Sequence, residues 1–202
     1  MIRLTQTHID TFDRDGFVII ENVLSPAQID AARSRFEPMF SGKFQTGLYP
    51  DEWNWRMGRD REDLTRQICN GWKSDLTIAA IVLDADVGEA CARLRRWPGA
   101  RIGQDNVIWK PPGTKPLGFH QDDSYNNWIV PGEMNTCWIT LDDTRAYQGT
   151  IEYVRGSHLW SLSPPIKQFH APDDPLNDLY PAARAAGVTD YEIVPIEVPA
   201  GS

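Results

Sequence analysis

Apolar positions in the first hundred residues recur mostly at helical spacing, and those in the second hundred gather in short runs between turn formers. Residues 5–15 predict a short polar helix stopping at Gly16, a residue suited to the left-handed C-terminal position of a helix. Phe17-Val18-Ile19-Ile20 reads as a short apolar strand. Ser25-Pro26-Ala27-Gln28 opens a second helix: Ser caps, Pro occupies the first turn, and Gln closes a capping box. Ile29, Ala32, Phe36 and Met39 then fall on one face. Residues 42–58 read as irregular, with Trp53 and Trp55 as exposed aromatics. Residues 64–83 and 87–96 read as helices, the second with a stripe of Val87, Ala90, Cys91 and Leu94, ended by Trp97-Pro98-Gly99.

From residue 101 the pattern predicts strands at 101–110, 118–125, 134–141, 150–154 and 191–198. Pro111-Pro112-Gly113, Pro131-Gly132, Gly149 and Gly156-Ser157 punctuate them, which implies an antiparallel sandwich or barrel. Residues 163–187, rich in proline, read as a long loop with one helical turn, a kind of segment that is often functional. With 202 residues the expectation is one domain, 1–202: a helical support region over 1–100 and barrel strands over 101–202.

Composition narrows the function classes. Hydrophobic residues make up 41% and charged residues 24%, which is globular usage rather than that of a disordered chain. A net charge of −8 and a pI near 4.9 argue against a nucleic-acid partner, which would call for a basic face, and against docking on anionic membranes. The apolar run 78–83 is far short of the roughly 20 residues a membrane span needs, and no signal-peptide pattern opens the chain, so a cytoplasmic location is expected. Cys69, Cys91 and Cys137 include no CxxC, which speaks against a zinc ribbon or a dithiol redox motif; buried structural thiols are the expectation.

The chemistry centres on His120-Gln121-Asp122, one of four histidine sites with His8, His158 and His170. On a strand, residues i and i+2 share a face, so an imidazole and a carboxylate would project into one cavity while Asp123 pointed away. With a second histidine from elsewhere, such a pair makes a 2-His-1-carboxylate facial triad, which leaves iron positions open for substrates and O2. Alone, the spacing is equally that of a surface histidine beside an acidic turn, and context must decide.

The context is an ordered set of blocks. Gln104-Asp105-Asn106-Val107-Ile108-Trp109-Lys110-Pro111-Pro112-Gly113 precedes the motif. Thr136-Cys137-Trp138-Ile139-Thr140-Leu141-Asp142-Asp143 follows it, and then Gly149-Thr150-Ile151-Glu152-Tyr153-Val154-Arg155-Gly156-Ser157-His158. This order resembles the phytanoyl-CoA dioxygenase family of Fe(II)/2-oxoglutarate oxygenases, and residues 16–25 are similar to that family's opening. The resemblance implies a mainly β fold with flanking helices, a double-stranded β-helix (jelly-roll, cupin-like) barrel. It implies Fe(II), 2-oxoglutarate and O2, with hydroxylation of an unactivated C–H bond of a small organic substrate and release of succinate and CO2. His120 and Asp122 would be catalytic iron ligands, Gln104, Asn106 and Trp138 would contact 2-oxoglutarate, and Tyr125 and Trp128 would line the substrate pocket. Plain packing or solvation is the competing role for each non-ligand residue.

The same resemblance makes His158 part of a turn rather than a ligand, with Arg155 where that turn usually has Pro. His170 reads as a surface residue of the proline-rich loop. The family's distal His and its carboxylate-binding Arg follow the segment matched by 191–202, so the third ligand and at least one barrel strand are expected beyond Ser202. The expected partner is a small molecule and the expected state a monomer or homodimer. Two alternatives are a catalytically inactive barrel that binds a small molecule or protein, and a cupin-type hydrolase or isomerase, which would draw on more histidines. Net charge −8 disfavours an anionic acyl-CoA substrate. Trp53, Trp55 and Arg56 would supply either a lid or core packing.

Overall fold

In the computed structural model, which describes residues 2–126, 129 and 134–202, helix α1 (Gln6–Asp15) begins and ends where its capping residues dictate. The Thr5 hydroxyl accepts from His8 N–H at 3.3 Å and His8 Nδ1 accepts from Thr5 N–H at 3.2 Å, while Gly16 closes the helix at φ +85°. Helix α2 (Pro26–Phe40) starts at the expected box, with Gln28 Oε1 accepting from Ser25 N–H at 2.9 Å.

Three antiparallel strands, β1 (Glu52–Trp53), β2 (Arg66–Cys69) and β3 (Asn106–Trp109), form a sheet in that order, with Ile68 opposite Val107. Helices α2 and α3 (Leu76–Val82) contribute to its core of Met39, Phe40, Trp55, Ile68, Ile78 and Val107. Trp55 is therefore a core residue, and its indole N–H donates to Arg61 O at 2.9 Å. The Arg66 guanidinium lies 3.7 Å from the Trp55 ring and 4.4 Å from the Trp109 ring, so a buried cation meets two aromatic rings. Trp53 is half-buried, with Arg56 lying 4.7 Å from its ring. Asp75 caps α3 through Thr77 N–H (3.0 Å) and Ile78 N–H (3.2 Å), and its other oxygen receives Arg35 Nε of α2 at 2.7 Å. A second apolar cluster joins α1 to α4 (Ala85–Arg95) through Leu4, Ala90 and Leu94. Val18 and Ile20 pack into that cluster, and residues 17–20, read as a strand, pair with no strand among the described residues.

Strands β4 (Glu152–Val154) and β5 (Ile193–Pro195) form an antiparallel pair, and single bridges join Leu117 to His170 and Thr144 to Val198. Helix α5 (Leu179–Ala185) is the helical turn of the long loop. Gly201 clasps distant segments: its carbonyl accepts from Val23 N–H (2.7 Å) and Leu24 N–H (3.0 Å), and its N–H donates to Thr140 O (2.8 Å). Its φ is +83°, and a Cβ there would come within 2.9 Å of Leu24 O, so both conformation and space call for glycine.

Further expectations change. Residues 64–83 are not one helix: 66–69 join the sheet, because Gln67 and Ile68 find partners in Ile108 and Val107, and only 76–82 are α-helical. The mainly β description does not hold either. The longest strand has four residues, helices cover more of the chain, and no closed barrel forms among the described residues. Segments 118–121 and 134–141 carry no ladder, and backbone pairing in the second half is reduced to short strands and single bridges. Among the described residues no helix is long and apolar enough to cross a membrane.

Candidate active site

Residues 116–121 run against the proline-rich loop. Gly118 N–H donates to Phe169 O (3.1 Å), Phe119 N–H to Pro175 O (3.0 Å), and Ala171 N–H to Pro116 O (3.1 Å). Gly118 permits this approach, since a Cβ there would lie 2.8 Å from Ile166 Cδ1. The chain then turns through a single 3-10 turn, Asp122–Tyr125. Gln121 is extended at φ −107°, ψ 128°, which keeps His120 and Asp122 on the same side as strand alternation would.

His120 Nε2 lies 3.2 Å from Asp122 Oδ1. His120 Nδ1 lies 2.8 Å from Gly118 O, which can only accept, so Nδ1 carries a proton; Nε2 carries a second while it hydrogen-bonds Asp122, and loss of that one turns its lone pair toward the carboxylate side. Asp122 Oδ2 accepts from the Thr136 hydroxyl at 2.6 Å. Both candidate ligands thus have their outward-facing atoms held and their inward-facing atoms convergent, the usual support for metal-binding imidazoles and carboxylates. Burial works against protonation of His120, but Asp122 and the Gly118 carbonyl outweigh it and its pKa is raised. The hydrogen bond with His120, helped by Thr136, holds Asp122 below the usual carboxylate value against the effect of burial. The His120 ring packs against Phe169 at 4.7 Å and Tyr125 at 5.8 Å between centroids.

Gln104, Asn106, His120, Asp122, Tyr125 and Trp138 all line one open cleft of about 3150 Å³. Asn106 Oδ1 accepts from Gln67 Nε2 (2.8 Å) and from the Cys69 thiol (2.9 Å), and Gln104 Nε2 reaches Cys69 Sγ at 3.3 Å. The two amides therefore form a polar wall braced from β2. Trp138 is half-buried on the cleft. The Tyr125 hydroxyl accepts from Ile166 N–H at 3.0 Å, tying the turn to the loop. Trp128 lies outside the described residues. His158 is distant in role: its Nε2 meets Asp13 O at 3.1 Å, beside the end of α1. His170 lines the cleft, and burial lowers its pKa.

Sequence reasoning missed Thr136, Gly118 and Phe169, whose contacts with His120 and Asp122 arise only when 134–141 and 163–175 fold onto the turn at 122–125. The donor set fits two positions of an iron(II) ion: a neutral imidazole nitrogen and a carboxylate oxygen, both oriented. Among the described residues no group of three or more His, Cys, Asp or Glu side chains is placed to hold a metal.

Comparison with known proteins bears on this geometry. The chain is 26% identical over 156 residues to the ectoine dioxygenase of Nocardia farcinica (strain IFM 10152), an alignment covering 74% of this chain and 50% of that protein. It therefore spans about half the length of that curated relative. In structure it is similar to the non-heme alpha ketoglutarate dependent carbocyclase SnoK from nogalamycin biosynthesis, with a TM-score of 0.69 and 22% identity over 98% of this chain and 73% of that one. That likeness shows a shared fold. The family model described as phytanoyl-CoA dioxygenase (PhyH) matches residues 12–202, and the chain belongs to that family.

Proposed function

We propose that this chain carries the ligand pair and cosubstrate wall of an Fe(II)- and 2-oxoglutarate-dependent oxygenase that hydroxylates an unactivated C–H bond of a small organic molecule. Succinate and CO2 would be the co-products. The observation that carries this reading is the convergence of His120 Nε2 and Asp122 Oδ1, with Gly118 and Thr136 holding their outer atoms. His120 and Asp122 would hold the metal as two of its protein ligands. Iron with 2-oxoglutarate supplies the oxidising chemistry when bound.

The chain's own side chains orient and enclose. Gln104 and Asn106, braced by Gln67 and Cys69, would present amide groups to the oxygens of 2-oxoglutarate, with Trp138 against its carbon chain. Tyr125 lines the cleft beside His120 and would face the substrate. The relatives' names, an ectoine dioxygenase and a carbocyclase from nogalamycin biosynthesis, favour a small-molecule substrate.

Anaerobic titration with Fe(II) and 2-oxoglutarate, followed by 2-oxoglutarate-driven O2 uptake, tests the reading. A saturable visible charge-transfer band and O2 uptake are expected. The alternative, an inactive module that binds a small molecule or protein, is favoured by the two-donor set and predicts neither signal.

A further inference from the structure

His120 and Asp122 share one side of their segment, and Gln121, extended between them, points to the other. There Gln121 Oε1 accepts from Ser163 N–H at 2.7 Å. The Ser124 hydroxyl donates to Ser163 O, and the Tyr125 hydroxyl accepts from Ile166 N–H at 3.0 Å. Pro164 and Pro165 have no N–H, so Ser163 and Ile166 carry the only backbone donors of residues 163–166. Side chains of the turn take both. Further along, residues 116–119 grip the loop through backbone bonds to Phe169, Ala171 and Pro175. Ala171 is held left-handed at φ +51° where it donates to Pro116, a conformation that persists only when its surroundings fix it.

We infer that Gln121 and Ser124 are positioning residues: they clamp the proline-rich loop at Ser163 so that Phe169 is held against the His120 ring. That the ring serves iron rests on the oxygenase reading. The clamp itself belongs to the metal-free chain, so the two fail separately.

The bond from His120 Nδ1 to Gly118 O sets one atom of the imidazole but leaves the ring plane free to pivot about it. Two ring contacts restrict that pivot: Phe169 at 4.7 Å and, edge-on, Tyr125 at 5.8 Å. Phe169 and Tyr125 also meet each other at 5.6 Å, which closes a triangle around the imidazole. A side chain is placed precisely only when its neighbours are themselves held. Phe169 sits in a segment with no helix and no ladder, so its place depends on the grips at either end. Gln121 and Ser124 supply the upstream grip, and the segment leading to His120 supplies the downstream one. The segment bearing the two candidate ligands thus uses one face for the metal position and the other to fix what packs on it.

The test uses the full chain without metal and reads amide hydrogen exchange and the His120 ring protons by NMR. Gln121→Leu keeps the length and removes the acceptor; Ser124→Ala removes the donor. Each is expected to speed exchange at Gly118, Phe119 and Ala171, which neither side chain touches, by about 2–10-fold, the worth of one hydrogen bond. Exchange in β2 and β3 stays unchanged. The His120 ring protons move toward the positions they take in Phe169→Leu, and Ser124→Thr, which keeps the hydroxyl, matches the unmutated chain. Faster exchange confined to Ser163 and Ile166, or His120 ring protons that shift in Phe169→Leu but in neither clamp variant, would overturn the inference. The two bonds are removed separately, so a fold lost in one variant leaves the other to decide, and a fold lost in both contradicts a local clamp. In the same variants Fe(II) is expected to bind more weakly; an unmutated chain that binds no Fe(II) removes the oxygenase reading and leaves the clamp standing.

Discussion

The Thr136 hydroxyl sits 2.6 Å from Asp122 Oδ2, the carboxylate oxygen that does not face His120. One oxygen is held by a neutral donor while the other stays directed at the imidazole. Replacing Thr136 with Val keeps the shape and removes the donor. Loss of such a supporting hydrogen bond typically weakens metal binding about 10–100-fold. Thr136→Val is expected to raise the Fe(II) dissociation constant in that range, with Thr136→Ser near the unmutated value. Anaerobic titration checks it, and equal affinity for Val and Thr would remove Thr136 from the site.

His120 and Asp122 lie outside both apolar clusters, so changing them should spare the fold. His120→Ala and Asp122→Ala are expected to abolish 2-oxoglutarate-dependent O2 uptake, including succinate formed without substrate, while circular dichroism stays unchanged. Normal succinate production by Asp122→Ala would refute the ligand assignment.

Asp75 is fully buried and serves two elements at once, the first turn of α3 and Arg35 of α2. Asp75→Ala removes the cap and leaves a mostly buried guanidinium without its partner. Breaking such a pair from one side costs about 3–5 kcal/mol. Urea unfolding is expected to show a loss of this size, and one below about 1 kcal/mol would mean that Arg35 finds another acceptor.

Acid should unfold the protein partly through Asp15. Its hydrogen bond to Arg14, with Arg155 adding, holds its carboxyl below the ordinary 3.8. The unfolded chain therefore takes up this proton more readily than the folded one. The stability it contributes is complete above about pH 4 and is lost as pH falls through the lower folded value. Melting temperature against pH should fall less steeply below pH 4 in Asp15→Asn than in the unmutated chain. Parallel curves would assign the acid limit to other carboxylates.

What the sequence made legible was local. Ser25 with Gln28 and the stop at Gly16 depend on neighbours a few residues away, and both stand as read. The His120–Asp122 pairing was also legible, because one extended residue, Gln121, decides it. Residues 66–69 were misread as helix because their partners, 106–109, are remote in sequence. Val18 and Ile20 were apolar as read, but they pack into the α1–α4 cluster rather than a sheet. Thr136 carried no signal of its own: a threonine contacts Asp122 only after two segments fold together.

The bonds from Gly118 and Phe119 to Phe169 and Pro175, and the return bond from Ala171 to Pro116, have one more effect. An extended segment with free N–H and C=O groups is a template on which another molecule can add a strand. Here the chain's own proline-rich loop occupies those groups, and proline has no N–H with which to extend the pairing outward. The segment leading to His120 is thereby shielded from edge-to-edge aggregation along this side, even though no long ladder covers it.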